Sequence, residues 1–330
     1  MSGPAPAATV APPPAPAPRR RGRRAPSYAY VAPPATRRAQ RRLGIVFVLP
    51  LVAMVAVFLL LPMASAVYYV FVDFNGINPQ PPFVGLANIT EVFGDPEVYD
   101  ALWNNVIWIV IGTLAPLLLG LGLALLLTQV RRGSVFYRTV FFVPFVLPQV
   151  AVGVVWGWIY APSRGWLNNV LEAVGLDAFT TGWLGNPDTA LYAVLATAVW
   201  SQVGFVFVIF LSALRNVDVD LVDAARLDGA NGGQRLRHVV LPQIMPVLLM
   251  VFTITLLGGF SVFDIIFVMT GGGPAGATEV LGTYAYSSAF QLNRISYGTT
   301  LALLITVMAI PFAVWLNRLQ RRTSLEGGAT

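Results

Sequence analysis

Long apolar runs alternate with short polar connections along most of this chain. Each run approaches or exceeds the roughly 20 residues that a helix needs to cross the hydrocarbon of a bilayer. The six runs cover residues 43–72, 101–130, 139–160, 189–214, 243–270 and 297–316. They are continuous rather than alternating, which favours helices over the strands of a membrane barrel. The pattern predicts an all-α polytopic membrane protein with six transmembrane helices.

The composition supports this class and excludes several kinds of chemistry. The chain is 56% apolar and only 11% charged, whereas soluble domains carry about 25% charged residues. It has no cysteine, and His238 is the one histidine, which argues against disulfides, a zinc site or a histidine-based triad. It has no lysine either, so the three glycines at 271–273 are not a phosphate-binding loop. We therefore expect no catalytic residues, no metal and no cofactor.

The arginines predict how the chain is oriented in the membrane. All 21 basic residues are arginine, and nineteen of them lie before the first run, after the second, after the fourth or after the sixth. Only Arg164 and Arg294 fall in the connections on the other side. Because cytoplasmic connections carry the excess of basic residues, both termini and the connection after the fourth run are expected in the cytoplasm.

The apolar runs and the segments between them divide the chain into four predicted regions. Residues 1–42 are rich in proline, alanine and arginine and are expected to be a disordered cytoplasmic tail, since such a sequence cannot bury a core. This tail is read as an orientation signal, with attraction to anionic lipid as the alternative. Residues 43–100 hold the first helix and an external loop. Residues 101–322 form the remaining five helices, and residues 323–330 form a short cytoplasmic tail.

The connection at residues 216–242 (the 216–242 loop) is a long polar interruption between two of the most apolar runs. Asp218 can cap a short helix over residues 219–227, and Gly229 can end it by adopting positive φ. A second short helix is expected at residues 234–240, with Pro242 at the start of the next span. From its pattern alone the loop is either a compact cytoplasmic element or an ordinary solvated loop.

The 216–242 loop resembles the EAA motif of ABC importer permeases. The residues that carry the resemblance are Asp223, Ala224, Ala225, Asp228, Gly229, Ala230, Leu241 and Pro242. Asp223 stands where the family has glutamate, Asp218 where this subfamily often has proline, and Gly232-Gly233 replaces bulkier residues. In the family this loop is the coupling helix, which docks into the ATP-hydrolysing subunit. The resemblance thus implies these residues as the contact to an ATPase.

The resemblance extends over residues 40–320. Residues 83–88 with Asp95-Pro96, residues 138–160 followed by Gly165–Asn168, and residues 263–278 are similar to carbohydrate permeases of the maltose and glycerol-3-phosphate type. It implies the type I importer fold of MetI-like permeases. It also implies a second permease, an ATPase dimer that binds the ATP, an extracellular solute-binding protein and a location in the bacterial plasma membrane.

A few polar and aromatic residues inside the runs are candidates for a translocation pathway. Sugar sites combine hydrogen-bonding groups with aromatic faces. The candidates are Gln149, Trp156, Trp200, Gln202, Phe260 and Asp264. For each one, helix-to-helix hydrogen bonding or simple packing is the alternative. Asp264 is expected about 9 Å inside the fifth span, where it would either bind sugar hydroxyls or anchor the partner permease.

These features predict a transmembrane subunit of an ATP-driven, binding-protein-dependent importer of a sugar or polyol. The alternative is an ion-coupled secondary transporter or channel, for which paired acids inside the membrane would be expected. A membrane-embedded enzyme is a more distant alternative, because no nucleophile and base occur together. The sequence does not identify the sugar.

Overall fold

The computed structural model describes residues 34–130 and 133–326, and this part of the chain is helical apart from connections and one isolated bridge between Val72 and Phe83. It forms two compact units, divided between Leu59 and Leu60. The first described helix is α1 (Pro34–Val55). A π-helical turn, Ala56–Leu60, and α2 (Leu61–Tyr69) follow it. These segments contain the first candidate span, Arg42–Tyr69.

The remaining helices belong to the second unit. They are α3 (Ala87–Gly94), α4 (Pro96–Thr128), α5 (Ser134–Val146), α6 (Gln149–Ile159), α7 (Trp166–Ala173), α8 (Pro187–Arg215), α9 (Val219–Leu227), α10 (Gly232–Arg235), α11 (Leu241–Phe260), α12 (Asp264–Met269), α13 (Leu281–Tyr286) and α14 (Ile295–Glu326). Within residues 34–130 and 133–326, five helical stretches are long and apolar enough to cross a membrane, and α5 with α6 would make a sixth as one broken span.

The tail prediction fails at residues 34–42. These residues are helical, because the basic segment continues the backbone hydrogen bonds of the apolar helix that follows it. The rest of the predicted N-terminal tail, residues 1–33, lies outside the described residues. The helix α14 likewise continues to Glu326, past the predicted boundary at residue 322. The division of the chain into four regions otherwise stays a prediction.

Helices α4 and α8 form the centre of the second unit and run parallel. Gly112 of α4 lies against Leu195 of α8, and Gly120 lies against Val206, so the contacts advance along both helices together. A Cβ added at Gly120 would come within 2.7 Å of the Val206 side chain, so glycine is what allows this close approach. Because two parallel helices start at the same end of the bundle, the chain must return across it between Thr128 and Pro187.

Helices α5 and α6 make this return. Phe141 of α5 packs edge-on against Phe207 with 5.6 Å between ring centroids, whereas the Tyr160 hydroxyl, just after α6, donates a 3.1 Å hydrogen bond to the Ala193 carbonyl. The contact point on α8 therefore moves back by fourteen residues as the chain advances. The pair runs antiparallel to α8 and forms one broken span.

The third span, residues 139–160, is interrupted, since α5 and α6 are bent by 98° relative to each other. The break falls at Leu147, whose ψ of 138° is extended. Pro148 causes it, because proline disfavours the helical conformation in the residue before it and has no N–H to donate. Pro144, by contrast, lies inside α5 without ending it.

The predicted fifth span, residues 243–270, also has to be corrected. The helix α11 ends at Phe260, residues 261–263 are not helical, and Phe263 has φ −150° and ψ −61°. A separate short helix, α12, begins at Asp264 and packs against α6, where Gly153 lies next to Val268 and Met269. Two adjacent helices, rather than one continuous span, therefore bring the chain to the loop at residues 271–280.

Polar contacts connect the N-terminal half of α4 to the segment around α13. Asn105 of α4, which is buried, accepts a 2.8 Å hydrogen bond from the Leu281 amide at the start of α13, and Asn104 donates to the Glu279 carbonyl at 2.8 Å. These two asparagines thus hold the backbone of the segment that leads into α13. A second cluster joins Asp95, the cap of α4, to the hydroxyls of Tyr284 and Tyr297.

Candidate functional site

The 216–242 loop folds around two local signals that the sequence contains. The Asp218 carboxylate accepts a hydrogen bond from the Asp220 amide, and α9 spans Val219–Leu227 as predicted. Gly229 has a φ of +83° and ends the helix, while the Ala230 amide donates to the Ala225 carbonyl at 3.0 Å. A residue with a Cβ is disfavoured in this left-handed region, which accounts for glycine at this position.

The second half of the loop differs from the prediction. A capping box between Asn231 and Gln234 starts α10 at Gly232, and the helix continues through a π-helical turn, Leu236–Val240, into α11 without interruption. A separate helix at residues 234–240 with a new start at Pro242 is therefore wrong. Pro242 cannot donate to the carbonyl four residues earlier, and the wider turn in front of it accommodates that missing bond.

The predicted coupling residues lie together at the outside of this loop. Asp223, Ala224, Asp228 and Gly229 are exposed, and Ala225 and Ala230 are half-buried between α9 and α10. Leu241 and Pro242 lie further away, in the first turn of α11. The helix α9 buries none of its residues in the described part of the chain, and it exposes Val219, Leu221 and, at 89%, Leu227. Exposed apolar side chains without a covering element are typical of a protein contact.

A cavity of about 220 Å³ lies where α4, α8 and α11 meet the broken parts of the third and fifth spans (the central cavity). Gln149, Gln202 and Asp264 all line it, although they are up to 115 residues apart in sequence. Gln149 donates a 3.3 Å hydrogen bond to the Ser201 hydroxyl. Three of the six predicted pathway residues are thus brought together at one place.

The other three predicted pathway residues lie elsewhere. Trp156 packs edge-on against Trp200 with 5.3 Å between ring centroids, and neither lines the central cavity. Phe260 is 94% buried against Leu256 and Leu316 and packs on Phe312. This ring is therefore a core side chain in the described part of the chain.

The sequence predicted that Asp264 lies inside a continuous fifth span. It lies instead at the first position of α12, just after the break. Its side chain is exposed and borders the central cavity. This agrees with the general expectation that an acid at membrane depth faces protein or a water-filled space rather than lipid. The error about its location follows from the break at residues 261–263, which the apolar pattern does not reveal.

Three aromatic side chains do border the central cavity: Trp108, Phe145 and Phe263. Phe145 is stacked on Phe205, with 4.7 Å between ring centroids and 21° between ring planes. Sequence reasoning missed Phe145, although its position between Pro144 and Pro148 marks it as part of a broken span. The cavity combines amides, hydroxyls and one carboxylate with aromatic rings, a set that suits a polar solute with both hydroxyl groups and apolar faces.

The geometry can be compared with known proteins. Residues 116–325 match the family described as "Binding-protein-dependent transport system inner membrane component". A probable ABC transporter permease protein, YurN of Bacillus subtilis, is 35% identical over 259 residues, which cover 78% of this chain and 89% of the relative. The trehalose/maltose transport system permease protein MalF of Thermococcus litoralis is 30% identical over 275 residues, covering 83% and 92%.

A solved structure has the same fold. The crystal structure of a bacterial ABC transporter involved in the import of the acidic polysaccharide alginate contains a chain that superposes with a TM-score of 0.76 at 22% identity, covering 87% of this chain and 98% of that chain. The match confirms the predicted importer-permease bundle of helices. Together, the family match and the similarity to the two curated relatives lead to one conclusion: this chain belongs to the binding-protein-dependent inner membrane components, and it is an ABC transporter permease rather than an enzyme.

Proposed function

We propose that this permease imports a sugar or polyol and that the central cavity supplies part of the pathway for it. The observation that carries this proposal is the convergence of Gln149, Gln202 and Asp264 on one cavity beside Trp108 and Phe145. The amides can both donate and accept hydrogen bonds with hydroxyl groups, and the carboxylate accepts them. The relative from Thermococcus litoralis, whose name specifies trehalose and maltose, supports the same substrate class.

The 216–242 loop is proposed to be the contact to an ATPase dimer, which binds the ATP. The exposed face of α9 with Leu221 and Leu227 would enter a cleft on the ATPase, and Asp223 to Ala230 would border that contact. The helix α9 is joined to the continuous helix Gly232–Phe260, whose far end borders the central cavity. A displacement of α9 would therefore be carried to the cavity through one helix.

The remaining parts of the proposal concern orientation and partners. The arginine distribution supports a cytoplasmic location for both termini and for the 216–242 loop. The central cavity of this chain would face a second permease, and an extracellular solute-binding protein would deliver the sugar. In this scheme ATP binding favours one orientation of the cavity and the loaded binding protein favours the same one, since each must contact the two states differently.

Reconstitution tests the proposal. The permease pair, the ATPase and the binding protein are placed in liposomes, and uptake of radiolabelled maltose, trehalose and a polyol such as glycerol is measured with ATP inside. We expect ATP-dependent accumulation of a carbohydrate or polyol that also co-purifies with the binding protein. ATP-dependent uptake of amino acids or peptides instead, with no sugar bound to the binding protein, would refute the substrate class and leave the family assignment intact.

A further inference from the structure

One half-buried arginine near the loop side of the bundle has a buried side-chain N–H without a partner. Arg138 lies in the second turn of α5, and its Nε is buried with no hydrogen-bond partner among the described residues. A guanidinium stays charged at any physiological pH. A buried charged donor that is left unpaired costs free energy, so an acceptor from outside the described chain is expected.

The helices around Arg138 offer no acid. The sequence contains no aspartate or glutamate between Asp100 and Glu172, a stretch that includes all of α5. The helix α8, which packs along α5, has Asp188 as its only acid. That residue precedes Val208, the α8 residue beside Arg138, by twenty positions, or about 30 Å along the helix.

Arg138 stands at one end of an apolar groove of about 400 Å³ (the inner groove). Phe142, Val143 and Val146 of α5 line the groove together with Leu147 at the bend and Val208 of α8. Val143 and Val146 are 49% and 65% exposed, so the groove is open along its length. From Arg138 to Leu147 the helix rises by about 13.5 Å, close to the thickness of one leaflet, about 15 Å.

The groove opens on the same side of the bundle as the 216–242 loop. The parallel helices α4 and α8 end at Thr128 and Arg215, and α5 begins at Ser134, shortly after the first of these ends. Arg138 therefore lies at the depth where lipid headgroups meet the hydrocarbon, and the apolar residues follow it towards the bundle centre. A cationic head followed by an apolar channel of leaflet depth is complementary to an anionic phospholipid.

We propose that the inner groove binds one anionic phospholipid of the leaflet on the side of the 216–242 loop. The phosphate accepts hydrogen bonds from the Arg138 guanidinium, whose planar fork suits phosphate oxygens. One acyl chain lies against Phe142 and Val146 and fills the space beside the bend between α5 and α6. The lipid phosphate supplies the negative charge that neither α5 nor the half of α8 near the 216–242 loop contains.

Lipid binding to the purified transporter complex tests this proposal. The complex is delipidated in detergent and titrated with phosphatidylglycerol, with phosphatidylcholine and with inorganic phosphate, and bound lipid is counted by native mass spectrometry. We expect phosphatidylglycerol to bind best and Arg138→Gln to weaken it by about tenfold or more, the effect of losing a charge-assisted hydrogen bond. Arg318→Gln is the matched control, because it removes an exposed arginine near the C-terminal end of α14. This variant should bind phosphatidylglycerol as the wild type does.

A second variant separates lipid binding from folding of the Arg138 variant. Val146→Trp keeps the arginine and fills the groove, because the 65% exposed valine leaves room for a larger side chain. It should also weaken phosphatidylglycerol binding while leaving thermal stability close to that of the wild type.

Equal phosphatidylglycerol affinity in wild type, Arg138→Gln and Val146→Trp overturns the proposal. So does loss of the second permease from Arg138→Gln at unchanged lipid affinity, which would identify a protein acid as the partner. Full competition by inorganic phosphate would reduce the site to a simple anion site and also contradict a lipid. These results do not depend on which solute is transported.

Discussion

The backbone N–H of Asp218 donates a 2.9 Å hydrogen bond to the side-chain oxygen Oε1 of Gln243, 25 residues further along the chain. Asp218 caps α9, and Gln243 lies in the first turn of α11. The bond therefore fastens the start of the proposed coupling helix to the base of the span that leads to the central cavity. It is a direct physical link between the two candidate sites.

Removing this bond should weaken coupling more than folding. Gln243→Met keeps the length of the side chain but has no oxygen acceptor, and loss of one such bond costs about 1 kcal/mol. We expect the complex to assemble while the ratio of sugar transported to ATP hydrolysed falls. Gln243→Glu retains an oxygen acceptor and serves as the control. An unchanged transport-to-hydrolysis ratio for Gln243→Met would show that the link does not carry the motion.

Gly229 gives a sharper test of the shape of the loop. Its φ of +83° disfavours any β-branched residue by about 1–2 kcal/mol, even though a Cβ would meet nothing within 4 Å. Gly229→Val should therefore reduce transport by distorting the end of α9. Gly232→Val is the matched control, because Gly232 also has open space around it but has no positive φ. Transport is measured at equal amounts of assembled complex, and equal activity of the two variants would contradict a requirement for this turn.

The proposed orientation can be tested by labelling single cysteines, since the chain has none of its own. Cysteines at Asp177 and Ala275, both exposed, should react with an impermeant maleimide from outside. A cysteine at the exposed Gly232 should react only after permeabilisation. Thr278 is fully buried, so a cysteine there should stay unlabelled on either side and serves as the control. External labelling at Gly232 would overturn the orientation.

Asp95 predicts a pH dependence at the end of the bundle opposite the 216–242 loop. Partial burial raises the pKa of Asp95, but hydrogen bonds from Tyr284, Tyr297 and the Glu97 amide, with the charge of Arg294, outweigh this and bring the pKa below the usual 3.8. A carboxylate with a lowered pKa stabilises the fold above its unfolded pKa, and this contribution is lost as the pH falls through the lowered folded value.

Asp95→Asn should therefore lower the unfolding temperature at pH 7, and the deficit should still be present at pH 4.5, above the unfolded pKa. It should shrink only below about pH 3.8, where the wild type also becomes protonated. Tryptophan fluorescence of the detergent-solubilised complex gives the unfolding temperature. Asp177→Asn, on an exposed outer segment, is the control. A deficit that vanishes already between pH 7 and pH 5 would show that Asp95 titrates higher than its contacts imply.

The parts of this fold that the sequence predicts are those set by neighbours in the chain. Asp218 and Gly229 act within one or two turns, and the helix between them has the predicted bounds. The apolar runs likewise determine where spans lie, because the requirement for about 20 apolar residues is local. The coupling role of Asp223 remains a prediction, since it depends on a partner.

What the sequence does not predict depends on how helices pack. The break at residues 261–263 has no proline. It follows the point where α11 packs closely on α4, since a Cβ added at Gly259 would lie 3.1 Å from the Ile109 side chain. Phe260 and Phe263 are three residues apart in apolar sequence, yet one is a core residue and the other borders the central cavity. Periodicity cannot separate them, because the helix that would define their faces ends between them.

Asp264 provides the most direct test of the central cavity. Its exposed carboxylate borders the cavity with Gln149 and Gln202, so it can accept hydrogen bonds from sugar hydroxyls. Asp264→Asn keeps the shape and removes the charge, and Asp264→Ala removes the acceptor as well. A hydrogen bond to a charged group contributes about 1.5–3 kcal/mol, so we expect the half-saturation concentration of uptake to rise about tenfold or more in Asp264→Ala, with a smaller rise in Asp264→Asn. The amount of assembled complex should stay at the wild-type level in both. Loss of the second permease from both variants in detergent would instead identify Asp264 as an anchor between the permeases. Wild-type uptake, specificity and assembly in both variants would exclude both roles.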